Sequence, residues 1–470
     1  MPPATMHRIV SDAAVGNAAA QDVPGDRGRR VETPRELAPG DVALRAAAYT
    51  VVLLPELWGA HCHTCFVAAE RQRLRRCGRC RTVSYCSKTC QQANWQLDHS
   101  TECKRLKQLT QLGLTSDQVM DVVLLARVLR RTGVEGRTPT ELVWYEEDVK
   151  DQELVLLAAL TQKLGLVAIK HSMDEMLRML SRFRNNNFSI VDELLLPLGA
   201  GCFPLGAMVN HSCDPNCAVT FVPKTLDIEF RAMRPIKAGQ ELTQTYVDVA
   251  LPRRERQQRL QRKYHFQCAC TRCALPLQDP SCPDAFLDAD SDGVPQEFWT
   301  QERHDEVEQA LQEARDATSC DADETDAAVQ QQQRIDALKK RVERQSGVLH
   351  RENIARLQTL SALFSAEMER GSVRATCEHG EHMLEFYRRV YTANHPMTGL
   401  HLFTLGDLYD QLAQAGPETA DWCEAKSIEC LTEAQRILRI TYGQEHRFVK
   451  MLADRLEGHP RSRDKVQAQG

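Results

Sequence analysis

Twelve cysteine and histidine side chains in this 470-residue sequence stand at spacings that suit metal ligation. Cys62 with Cys65, Cys77 with Cys80, Cys86 with Cys90, and His99 with Cys103 make four close pairs. Each spacing lets one turn, or one turn of helix, aim two ligands at a single ion. Four pairs supply two tetrahedral zinc sites, and spacing alone leaves open which pairs share an ion. Cys268, Cys270 and Cys273 are three further thiols in one short turn that lack a fourth ligand. Cys213, in Asn210-His211-Ser212-Cys213, is the candidate to close a third site. Closed four-ligand sites have no open position for a substrate, so their role is structural. A third zinc would pin the Asn210–His211 loop against Tyr264 and Phe266. The pocket between them, with Tyr246 and Tyr264 as walls, suits a cationic ligand that also carries an aromatic ring.

Length and composition bound what must position these groups. The chain is long enough for two to four domains with a sizeable core. A net charge of −5 argues against nucleic-acid binding by bulk charge. Between Glu70 and Lys107 ten Lys or Arg face three acids, which is read as a solvated face of the finger. No apolar run reaches the roughly 18–20 residues that span a bilayer, so no membrane partner is expected. The run from Ala13 to Ala20 is broken by Gly16 and Asn17, and no secretory leader is expected. Eighteen cysteines, most at ligand spacings, then point to metal binding in a reducing compartment rather than to disulfides.

The elements follow from periodicity and turn signals. Pro39-Gly40 predicts a hairpin between two short strand-like runs. Apolar residues at helical spacing, such as Val122, Leu125, Ala126 and Leu129, predict helices between residues 106 and 183. Strands are expected at Ala218–Val222 and Ile228–Ala232, and helices throughout residues 297–456.

Three segments, in order, carry a family resemblance: Asn210 to Cys213, Glu241 to Tyr246, and Tyr264-His265-Phe266 running into Cys268, Cys270 and Cys273. They resemble the catalytic core of SET-domain protein lysine methyltransferases. The finger, with Tyr85-Cys86-Ser87 and with Trp95 before His99, resembles a MYND finger, and the whole is similar to the SMYD family. The resemblance implies an α+β fold: a SET β-fold split by a MYND zinc finger and a helical insert, then an all-α, tetratricopeptide-like C-terminal domain. The expected divisions are a disordered tail (1–24), the first SET part (25–61), the finger (62–103) and a helical insert (104–185). The SET core (186–250), a post-SET zinc segment (251–277), a linker (278–296), the helical domain (297–457) and a second tail (458–470) complete the chain.

The resemblance also implies roles. MYND pairs alternate, which carries Cys62, Cys65, Cys86 and Cys90 to one zinc and Cys77, Cys80, His99 and Cys103 to the other. S-adenosylmethionine would be held by Arg27, Gly28, Asn186, Asn210, His211, Tyr246 and Phe266, with Phe266 stacking on the adenine. Asp26 stands where the family usually has a glycine. Tyr246 and Tyr264 would be the catalytic walls, and the substrate a lysine of a histone or another protein. Proline-rich peptides at the finger are the further partner class, the protein is expected to be a monomer, and cytoplasm and nucleus are the expected locations. The alternative is a catalytically silent scaffold that binds partners through the finger and the helices.

Overall fold

The computed structural model describes residues 8–11, 29–131, 139–168, 170–316, 327–415 and 420–458. Two three-stranded antiparallel sheets form the β part. In one, Ile228–Ala232 lies between Val42–Ala46 and Cys217–Phe221. In the other, Pro197–Cys202 lies between Thr50–Leu53 and Asn187–Val191. Gly199 permits the second sheet's close packing: a Cβ there would stand 2.1 Å from the Val52 carbonyl oxygen.

The Pro39-Gly40 turn is present, with Gly40 at φ +95°, but it does not make the expected hairpin. Arg29–Glu32 pairs instead with Arg8–Ser11, inside the segment expected to be an unstructured tail. Ile9 and Val10 form a β-branched run too short to show a period, and pairing with Arg30 and Val31 gives it a partner. The far side of the same segment reaches the site: the Leu242 N–H donates to the Val31 carbonyl at 2.8 Å.

The Cys/His finger leaves the chain after Thr50–Leu53 and returns through the helix Ser116–Arg130. In the finger, Ser87 caps the helix Lys88–Asn94 by accepting from the Cys90 N–H at 3.1 Å, which fixes the turn joining Cys86 to Cys90. Arg127, from the middle of Ser116–Arg130, is buried and holds the finger to the sheet. It donates to both Glu102 oxygens at 2.9 and 2.8 Å and to the Val51 carbonyl at 2.5 Å. Burial alone would raise the Glu102 carboxyl, but Arg127 and Arg130 hold it down at about 2.

The C-terminal part is a bundle of helices, among them Ile354–Arg370, Val373–Val390, Pro396–Ala415 and Ala420–Tyr442. Leu357, Leu360 and Phe364 on one face meet Met383, Leu384 and Phe386 of the next helix in a shared core. The bundle is fastened to the β part. Asn394 donates to the Met233 carbonyl at 2.7 Å, Tyr442 to the Glu193 carbonyl at 2.8 Å, and Arg272 to the Val390 carbonyl at 3.0 Å. The architecture is α+β, with an inserted finger and a C-terminal helical bundle. No described helix is long and apolar enough to cross a membrane.

Candidate active site and metal centres

Tyr246 sits where three segments meet. A two-residue parallel pairing of Asn210–His211 with Thr243–Gln244 delivers it there. Its backbone N–H donates to His211 Nδ1 at 3.0 Å, and its hydroxyl donates to the Val209 carbonyl at 2.9 Å. The Tyr264 ring lies 4.8 Å away, centroid to centroid. Burial pushes the Tyr264 phenol up to about 12, and burial, with Tyr264 and Glu241 nearby, also raises Tyr246. Both phenols stay protonated at neutral pH. With its proton committed to Val209, the Tyr246 oxygen remains available as an acceptor.

The helix Arg253–Tyr264 ends at His265, whose φ of +58° is left-handed. This turn sends Phe266 back into the cluster that holds Tyr246, Tyr264 and Cys213, 6.1 Å from the His211 ring. Tyr145 braces the turn: its ring lies 3.9 Å from that of His265, and its hydroxyl donates to the Tyr264 carbonyl at 3.1 Å.

His211 is buried and acts as a brace rather than a base. Nδ1 accepts from Tyr246, so Nε2 carries the proton and faces Cys213 Sγ at 3.3 Å. Asn210 Nδ2 donates to the Arg29 carbonyl at 3.0 Å and to Glu241 Oε1 at 2.9 Å. Asn186 donates to the Val143 and Arg182 carbonyls at 2.9 and 2.8 Å, tying its helix to the segment that carries Tyr145. Arg27 and Gly28, with Asp26, lie outside the described residues.

Tyr246, Tyr264 and Phe266 are half-buried and belong to one apolar cluster. Aromatic faces beside a backbone-rich loop suit a purine with an adjoining cation. These residues fit S-adenosylmethionine at its adenosine and sulfonium end.

Among the described residues three metal-ligand clusters are formed, and the grouping of the finger's pairs alternates. Cys62, Cys65, Cys86 and Cys90 make one, Cys77, Cys80, His99 and Cys103 the second, and Cys213, Cys268, Cys270 and Cys273 the third. In each, the four ligand atoms lie within 4.8 Å of one another. Sulfur separations such as Cys65–Cys86 at 3.6 Å and Cys213–Cys268 at 4.0 Å are far too long for disulfides. They match the roughly 3.8 Å edge of a tetrahedron built on zinc–sulfur bonds of about 2.3 Å. Metal analysis of protein purified without chelator should therefore give three zinc ions per chain, and Cys213→Ser should bring the content to two. A wild-type content of two, or three in the variant, would remove Cys213 from its site.

Beneath the third cluster lies a buried ionic group that sequence reasoning missed. Arg256 Nε donates to Cys213 Sγ at 3.2 Å, while Nη1 and Nη2 each donate to Asp284 at 2.8 Å. Arg272 donates to the same carboxylate from Nε at 3.0 Å and to the Val249 carbonyl at 2.8 Å. Burial opposes the Asp284 charge, but the two arginines outweigh it and hold the carboxyl below its ordinary range. The Arg127–Glu102 pair was missed likewise. An arginine between cysteine pairs was the one available signal, and it looks the same on a solvated face.

Two family profiles match the chain: the SET domain over residues 140–247 and the MYND finger over residues 62–103. The chain is a SET- and MYND-domain protein. It is related to several SMYD-family lysine methyltransferases. It is 28% identical to the human (Homo sapiens) histone-lysine N-methyltransferase SMYD3 over 449 residues, 92% of this chain and 94% of the relative. Against the histone-lysine N-methyltransferase ASHR1 of Arabidopsis thaliana it is 27% identical over 490 residues, 97% of each chain. With the N-lysine methyltransferase SMYD2-A of Xenopus laevis the identity is 33% over 275 residues, 55% of this chain and 61% of the relative. The alignments with the first two relatives thus run over nearly the whole of both chains.

Proposed function

We propose that this SET–MYND protein transfers a methyl group from S-adenosylmethionine to the side-chain amine of a protein lysine. The observation that carries this reading is the tyrosine pair, Tyr246 and Tyr264, with rings 4.8 Å apart and the Tyr246 proton held by Val209. A lysine ammonium, with a reference pKa of about 10.4, must lose its proton before it can attack. An aromatic, partly dry channel favours the neutral amine. The Tyr246 oxygen then accepts an N–H of that amine and turns its lone pair along the channel, while the Tyr264 ring limits its sideways movement. Alignment of this kind is the larger part of the rate gain. When bound, S-adenosylmethionine supplies an activated methyl group on its sulfonium. Asn210, His211, Asn186 and Phe266 would hold its adenosine end, and Arg27 and Gly28 its amino-acid end.

Binding of S-adenosylmethionine to purified protein tests this most cheaply. Phe266→Ala should weaken it about tenfold or more, since stacking of a base on an aromatic ring is worth roughly 1–3 kcal/mol. A wild type that does not bind the cofactor would favour the scaffold reading, and an unweakened Phe266→Ala would move the adenine elsewhere.

A specific observation also supports a partner role for the finger. Gln91, Gln92, Trp95 and Gln96 line an open pocket of about 280 Å³, beside the exposed Leu97. An aromatic floor with amide rims suits a proline-rich peptide. The stacked helix pairs of the C-terminal bundle are read as tetratricopeptide-like, the chain as a monomer, and its place as nucleus or cytoplasm.

A further inference from the structure

A basic cavity in the C-terminal bundle is unconnected with the methyl-transfer site. It lies between the helices Ala327–Ser346, Ile354–Arg370 and Val373–Val390, has a volume of about 30 Å³, and is lined by Val342, Arg351, Arg356, Leu357, Leu360 and His382. Three of its six lining side chains carry nitrogen donors. Arg356 Nε and His382 Nε2 are buried with no hydrogen-bond partner. Arg356 has one long contact, from Nη1 to the Leu349 carbonyl at 3.5 Å. Glu385 pairs at 2.5 Å with Arg351, whose side chain is 55% exposed at the mouth, so that carboxylate is already engaged. Burial and Arg351 both work against the Arg356 charge. Burial, with Arg351 and Arg356, also lowers His382 below the ordinary imidazole range, against Glu385 and a hydrogen bond to the Arg351 backbone.

A buried Nε–H left without an acceptor is costly unless a ligand supplies one. That Nε–H and the His382 ring nitrogen Nε2 open on a space that admits one or two oxygen atoms. We propose that this cavity binds a phosphoryl group, with its inner oxygens on Arg356 and His382 and its outer face on Arg351. Free phosphate and a phosphoryl group borne by a partner molecule offer the same recognition chemistry.

Equilibrium dialysis of the full-length, zinc-loaded protein against radiolabelled inorganic phosphate, in chloride at constant ionic strength, tests the site. One phosphate should bind per chain, at least tenfold more weakly to Arg356→Met and more weakly to His382→Leu. Arg334→Met, which removes a surface partner of Glu369, should bind as wild type does. In phosphate-free buffer Arg356→Met should melt no lower than wild type, because the charge it removes has no carboxylate partner among the described residues; in phosphate the wild type alone should gain stability. Phenyl phosphate bound more tightly than inorganic phosphate assigns the site to a partner-borne group, and the reverse order to the free anion. Absence of saturable binding in the wild type, or equal binding by Arg356→Met, overturns the proposal.

Discussion

Asp284→Ala should destabilise the protein by about 3–5 kcal/mol, because it leaves buried guanidinium groups without their counter-charge. Arg256 and Asp284 are essentially inaccessible to solvent, and Arg272 is 4% exposed. No rearrangement short of opening the region would hydrate the two arginines. The damage should spread in a definite direction. Arg256 is also a donor to Cys213 and, at 3.7 Å, to Cys273, so losing its anchor loosens the third metal cluster. Arg272 reaches the Val390 carbonyl, so the bundle's attachment weakens as well. Denaturant unfolding with zinc release followed in parallel should show one of three zinc ions leaving early in the variant. A variant with wild-type midpoint and simultaneous release would mean that the network is dispensable.

What could be read from the sequence, and what could not, divides by distance along the chain. Zinc ligands sit in pairs a few residues apart because one turn must aim both, so Cys62 to Cys103 announced themselves. Tyr246, Tyr264 and Phe266 were legible through their motifs, and their meeting in one cluster followed once Cys213 was assigned to the third site. Arg256 and Asp284 meet across 28 positions with no period to mark them. The segment that holds Asp284 reads from the sequence only as a linker. Pro39-Gly40 signalled a turn correctly but not what the turn joins: Val42–Ala46 pairs with Ile228–Ala232, a choice made by tertiary packing. The same limit hid the strand Arg8–Ser11, whose four residues gain meaning only from Arg29–Glu32.

Tyr246→Phe carries the other large effect, and it bears on the account's centre. The substitution removes one oxygen and leaves the ring against Tyr264. The hydrogen bond to Val209 is lost, but Gln244 still donates to that carbonyl at 3.0 Å, so the carbonyl keeps a partner and the fold should survive. The adenine contact at Phe266 is untouched, so cofactor affinity should change little. The loss falls on alignment of the amine, an interaction made on the way to the transition state, and turnover should fall at least tenfold, or about 1.4 kcal/mol. A tyrosine serving only the core would instead lower the melting temperature and spare the rate. The decisive measurement is transfer of labelled methyl from S-adenosylmethionine to lysine in a peptide array or cell lysate, by wild type and by Tyr246→Phe at matched cofactor occupancy. Transfer by the wild type and a loss of tenfold or more in a folded, cofactor-binding variant are expected; an equally active variant would contradict this role for the Tyr246 hydroxyl.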